Sequence, residues 1–198
     1  GSGFAGIPAS GGTYAEGDEW TLTSEPIPLT GFTECYISFY YWADLRNYMS
    51  AIEGIDGAIV EISINGGDWM QLDLYATGLL NPTYTGYIKS DIDNPLELKL
   101  AYCKDQPYWT YVKSGDLIGM GLVSPEDTIR IRFRFGSGDY SVAPSTSNGF
   151  YIDKFLISSS SNPVGPFMLT RCVAIPYLSR PNVEAYHDAT ICKDDIIP

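Results

Sequence analysis

From Thr128 to Phe135 the chain alternates without a fault, Ile129, Ile131, Phe133 and Phe135 against Thr128, Arg130, Arg132 and Arg134. Successive side chains of a strand point to opposite faces, so this segment has one face for a core and one for water. Asp56 to Trp69 repeats the pattern: Val60, Ile62 and Ile64 point one way and Ile59, Glu61 and Ser63 the other. The Asn65-Gly66 pair that follows supplies the positive φ of a tight hairpin. Together these segments commit the chain to an antiparallel β fold.

Further strands are predicted over Trp20–Ser24, Cys35–Trp42, Trp69–Tyr75, Leu96–Cys103, Trp109–Val112 and Phe150–Ser158, with Gly, Pro, Asn and Asp clustered between them. Eight strands at this spacing make an all-β, antiparallel two-sheet β-sandwich of jelly-roll type. Helix is limited to a turn or two, at Tyr48–Glu53 and Ser114–Met120. The chain divides into a Gly-rich N-terminal arm (1–18), the sandwich (19–158), and a Ser-rich hinge with an extra strand and tail (159–198). In that last part Phe167–Tyr177 alternates again. An arm of Gly, Ser, Ala and Pro has little to bury, so order there requires contacts with its own domain or with a neighbour.

Charge excludes several partners. The formal net charge is −12, from 24 acidic and 12 basic residues. Nucleic acid demands the opposite sign, so none is expected as a partner. No apolar run reaches the roughly 18 residues of a membrane span, so direct membrane insertion is not expected. Gly1-Ser2-Gly3-Phe4 has neither the basic region nor the apolar stretch of a signal peptide. Abundant carboxylates suit either solubility or Ca²⁺, whose ligands are oxygens. Asp91 and Asp93, beside Asn94, place two carboxylates at i and i+2, the opening of a calcium loop or of an Asx turn ending at Pro95.

Cys35, Cys103, Cys172 and Cys192 are widely spaced, and His187 is the only histidine, which argues against a zinc site. Two disulfides are expected in an oxidising compartment, with three pairings possible; Cys35–Cys103 and Cys172–Cys192 keeps the tail self-contained. Buried free thiols are the alternative. With one histidine and neither Gly-x-Ser-x-Gly nor His-Glu-x-x-His, the chain shows no catalytic constellation, and no enzyme activity is expected. Arg130, Arg132 and Arg134 lie about 7 Å apart on one strand face, placed either to grip an acidic partner or to pair across strands with residues such as Glu61. Trp42, Trp69 and Trp109 are candidates to stack on sugar rings, or else to fill a core or a subunit contact.

Ile37-Ser38-Phe39-Tyr40-Tyr41-Trp42, Asp56-Gly57-Ala58-Ile59-Val60-Glu61-Ile62-Ser63 with Asn65-Gly66-Gly67-Asp68-Trp69, Ile131-Arg132-Phe133-Arg134-Phe135 and Gly149-Phe150-Tyr151-Ile152-Asp153 occur in that order. In this the chain, over about residues 19–158, resembles the jelly-roll modules of immune-inhibitor-A-type secreted proteases and, more distantly, MAM domains. The resemblance implies a non-catalytic extracellular or cell-surface module that holds structural Ca²⁺ and serves adhesion or glycan contact. It makes Asp56 and Asp153 candidate ligands, which Glu19, Glu25 or Glu34 would have to supplement. Lys154 stands where the family usually carries a second acidic residue. On architecture alone, a sandwich with strand-like termini also resembles subunits of microbial extracellular filaments and cannula-like tubules. The expected function is therefore a calcium-stabilised subunit that assembles with copies of itself by strand exchange, with a glycan-binding or adhesion module as the alternative.

Overall fold

In the computed structural model of the protein the described residues are 4–6, 14, 16–46, 50–73, 77–139 and 147–159. Among them are thirteen strands and no helix. The strands are β1 (Phe4–Gly6), β2 (Glu19–Thr23), β3 (Ile27–Pro28), β4 (Tyr36–Asp44), β5 (Glu53–Gly54), β6 (Gly57–Ile64), β7 (Met70–Gln71), β8 (Leu80–Asn81), β9 (Gly86–Ile88), β10 (Leu100–Ala101), β11 (Gln106–Ser114), β12 (Thr128–Gly136) and β13 (Gly149–Ser158). One sheet has the order β1-β13-β4-β11-β8 and a second the order β2-β12-β6-β7, with β3 also on β12. The long strands β4, β6, β11, β12 and β13 fall alternately in the first and second sheets, so neither sheet is built from one stretch of sequence. A small sheet, β10-β9-β5, holds the only parallel pair among the described residues, β5 with β9.

The alternation read from the sequence decides what enters the core. Ile129, Ile131, Phe133 and Phe135 of β12 lie beside Ile64, Ile62, Val60 and Ala58 of β6, on the inner face. The first sheet answers with Ile37, Phe39, Tyr41 and Ala43 of β4, Val112 of β11 and Phe150 and Ile152 of β13, all buried. The sheets interlock through Phe39, which meets Phe133 edge-on at 4.9 Å; Tyr41 lies tilted 4.6 Å from Tyr102 and stacks at 5.5 Å on Phe150 of its own sheet. Tilted and edge contacts of this kind suit the ring quadrupole. Buried phenol groups need partners. Tyr84 meets this by donating to the Leu72 carbonyl at 2.8 Å and accepting the Val60 N–H at 3.0 Å.

Two expected strands shrink. Of Trp69–Tyr75 only Met70–Gln71 is a described strand, Leu72 and Asp73 being a turn and 74–76 lying outside the described residues. Of Leu96–Cys103 only Leu100–Ala101 forms a strand, with Tyr102 adding an isolated bridge to Ala58, because residues 95–98 turn and Leu98 adopts φ +61°. No helix forms over Ser114–Met120, where Ser114 ends β11 and turns follow, while Glu53 belongs to β5. The arm, expected to lack periodicity, nevertheless supplies β1, antiparallel to β13 with Phe4 opposite Asp153 and Gly6 opposite Tyr151. Backbone N–H and C=O groups pair without any side-chain pattern, so sequence periodicity could not reveal this strand.

Candidate functional site

Where the arm enters the sandwich, an ion pair is buried. Arg46, just past the end of β4, and Asp56, just before β6, are 4 % and 0 % exposed. The guanidinium grips the carboxylate with two bonds, Nε to Oδ2 at 2.9 Å and Nη2 to Oδ1 at 2.9 Å. Asp56 also accepts the Arg46 N–H at 3.1 Å, the Gly138 N–H at 3.1 Å and the Tyr14 hydroxyl. Arg46 spends its remaining donors on the Gly138 carbonyl at 2.6 Å and on Glu16 at 2.8 Å. The Tyr14 ring packs edge-on against Phe135 at 5.1 Å, with the guanidinium 5.6 Å from the ring centroid. Two residues of the arm are thus bonded to this pair at the ends of β4 and β6, and the pair itself is bonded to Gly138 after β12.

Burial, and then the Asp56 charge, push the Tyr14 hydroxyl well above the usual phenol range, so it stays a donor. Burial pulls Arg46 down, but its bonds to Asp56 outweigh that and hold it above its ordinary value. A cavity of about 240 Å³ opens beside this hub, lined by Tyr14, Glu16, Arg46 and Ser147. The arrangement fastens chain segments; both Asp56 oxygens are already occupied by fixed donors.

The outward face of the first sheet carries a second feature. Trp42 lies beside Tyr151 in register, the rings 5.3 Å apart and inclined at 69°, and Tyr40 lies beside Tyr111 at 5.1 Å and 46°. Lys113 sits 4.6 Å from the Tyr36 ring and Lys154 sits 5.6 Å from Tyr40. Between Gln106 and Thr110 the pairing of β11 with β4 slips, and there Tyr108 and Trp109 are exposed. The face is aromatic and half-wet, and its rings are inclined to one another.

The structure scatters the candidate metal ligands. Asp56 is enclosed in the hub. Asp153 is on β13, opposite Tyr40 and Phe4, with its carboxyl raised by burial against the smaller opposing effects of the Lys154 N–H and charge. Asp91 and Asp93 are exposed, both with left-handed backbone (φ +59° and +54°), in a turn whose Ile92 N–H is capped by Glu97 at 2.9 Å. Among the described residues no three of His, Cys, Asp and Glu gather as a metal site would require. Asp56 is neutralised by Arg46, whereas a Ca²⁺ site needs six to eight oxygens. Of the glycan candidates, Trp42 and Trp109 belong to the first sheet, whereas Trp69 is on the other side of the sandwich with Arg132 at 4.3 Å over its ring.

Arg132 also meets Glu61, at 2.5 Å, and Arg134 meets Glu19 at 2.5 Å, so the arginine row is engaged across strands. Cys35 and Cys103 correct the expected pairing: both are buried free thiols. Cys35 precedes β4, and its carbonyl accepts the Leu117 N–H, while Cys103 lies near Asp105, which binds the Leu45 N–H beyond the other end of β4. A nine-residue strand between them spans more than about 25 Å, against the roughly 7 Å limit between disulfide-linked Cα atoms. Cys172 and Cys192 lie outside the described residues. Sequence reasoning missed Arg46, Tyr14 and Glu16; the only signal was a lone arginine closing an aromatic strand.

Fold and hub together define an antiparallel two-sheet β-sandwich whose N-terminal segment is fastened to its edge by a buried arginine–aspartate pair. No protein-family model matches the sequence, and no curated protein matches it.

Proposed function

We propose that the protein is an extracellular structural subunit that assembles with copies of itself into a filament, tubule or surface layer by strand exchange. One observation carries this. Sheet edges present unpaired backbone groups, and here an edge is closed by three residues, Phe4–Gly6, of an arm remote in sequence from the strand it covers. A strand so short and so separately tethered is readily supplied by a neighbour, which is strand addition between copies. The segments behind the resemblance to immune-inhibitor-A-type modules fall on β4, β6, β12 and β13, consistent with an extracellular sandwich. Calcium belongs to this proposal on grounds of charge alone: copies of net charge −12 repel, and a divalent cation between them reduces that cost.

The test is particle size, by light scattering and negative-stain microscopy, in millimolar Ca²⁺ and then in chelator. Large regular particles are expected; a monomer in both conditions overturns the proposal. The aromatic row of Tyr40, Trp42, Tyr111 and Tyr151 favours a second function, glycan contact by a non-catalytic adhesion module, which a polysaccharide-binding screen with Trp42→Ala as control decides.

A further inference from the structure

Four apolar side chains that point between the sheets are only partly covered by the described residues. Phe155 touches Phe133 at 5.5 Å, and Ile157 lies in register with fully buried Ile37, so both face inward from the second half of β13. Leu22 and Trp20 of β2 pair with Phe133 and Phe135, so they face inward from the other sheet. Yet all four are only half-buried, although Phe133, Phe135 and Ile37 beside them are 6 %, 1 % and 0 % exposed. The Trp20 Nε1–H, itself buried, has no hydrogen-bond partner among the described residues.

The walls of this slot are strand edges. Among the described residues β2 is bonded on one side only, by β12. On β13 the arm strand stops at Asp153, where the register slips and Lys154 takes φ +50°, and no described strand pairs with Lys154–Ile157 on that side. An open edge beside uncovered inward-facing apolar groups fits an extended chain whose alternate residues are apolar.

We infer that this slot accepts the Phe167–Tyr177 segment of a second copy, an inference that rests on the self-assembly proposed above. Phe167, Leu169, Val173, Ile175 and Tyr177, with Arg171 among them, fall on one side of that segment if it is extended, so five of six alternate residues match the apolar chemistry of the slot. The segment follows β13 in the same chain, but a hairpin back along β13 meets β1 once it reaches Asp153. An eleven-residue strand, about 36 Å long, fits without that collision when it arrives from another copy and overhangs the open end.

The experiment uses the full chain and two variants, Val173→Asp in the donor segment and Leu22→Asp in the slot, sized by light scattering and sedimentation. We expect the unaltered protein to assemble, each variant alone to form smaller particles than the unaltered protein, and their equimolar mixture to form larger particles than either variant alone, since one copy retains a donor and the other a slot. If Val173→Asp assembles like the unaltered protein, the inference is overturned while self-assembly stands. A mixture whose particles are no larger than those of the separate variants assigns the segment to its own chain and overturns exchange. If the unaltered protein is itself monomeric, both proposals fall. Val173 lies outside the described residues, so its result is read separately and decides even if Leu22→Asp does not fold.

Discussion

Arg46 and Asp56 face each other side-on, with two parallel hydrogen bonds of 2.9 Å, and both are buried where the arm meets the ends of β4 and β6. A bidentate pair of this kind is strong because both charges are neutralised in a fixed geometry. Removing one partner leaves a buried charge, which is far costlier than removing both.

Asp56→Ala is therefore expected to destabilise the fold by about 3–5 kcal/mol. The double variant Arg46→Met, Asp56→Leu should recover most of that loss. Urea unfolding measures both; a double variant as unstable as the single one would show that the pair contributes net stability beyond neutralisation.

Tyr14→Phe keeps the ring on Phe135 and deletes one donor to Asp56. The expected cost is about 1–3 kcal/mol, the range for a hydrogen bond to a buried charged group. Limited proteolysis should cut the chain before Glu19 faster than in the unaltered protein. Unchanged cleavage and unchanged unfolding would mean that the hydroxyl does not hold the arm.

Burial, and then the Asp116 charge, push the Cys35 thiol up to about 12 from 9.0. In the unfolded chain this thiol ionises near 9.0, whereas the folded chain keeps it protonated, so above that pH the unfolded state binds fewer protons. The stability contribution is complete below pH 9 and is lost as pH rises toward 12. Urea midpoints between pH 8 and 10.5 should fall more steeply for the unaltered protein than for Cys35→Ala. Mass spectrometry after alkylation without reductant should label Cys35 and Cys103 only once the chain is denatured; a requirement for reductant would contradict their free state.

Asp127 takes the Ser124 N–H at 2.7 Å and the Asn65 amide at 2.7 Å, bonds that hold its carboxyl below the usual range. Its contribution is present above the ordinary value of 3.8 and disappears as pH falls through the lower folded value. Asp127→Asn should therefore destabilise the protein at pH 7 and make little difference near pH 2. Equal destabilisation at both values would assign the loss to something other than the charge.

Much of the candidate interaction surface was legible in part. Trp42 was identifiable as an aromatic on a strand, but its neighbour Tyr151 is more than a hundred positions away and joins it only through the β4–β13 register. Glu61 was identifiable as a partner for the arginine row because Arg130, Arg132 and Arg134 had to share one face. Asp56 was picked out as a metal ligand, whereas its contacts make it the counter-ion of Arg46. No local pattern announces that pair: two ions ten residues apart, each outside a strand, meet only when β4 and β6 enter different sheets.

The sequence by itself determined the strands whose two faces differ. Alternation in β12 is a local property, fixed by which side chains water excludes, and it survives whatever the strand pairs with, whereas β6, alternating in sequence, is buried on both faces from Gly57 to Ser63. Tertiary structure decided everything carried by the backbone or by distance: the docking of β1, whose residues need only N–H and C=O groups to pair, the separation of Cys35 from Cys103, and the gathering of Tyr14, Glu16, Arg46 and Asp56. Those contacts depend on which strands become neighbours, and a chain that passes from sheet to sheet brings together residues that no sequence window contains.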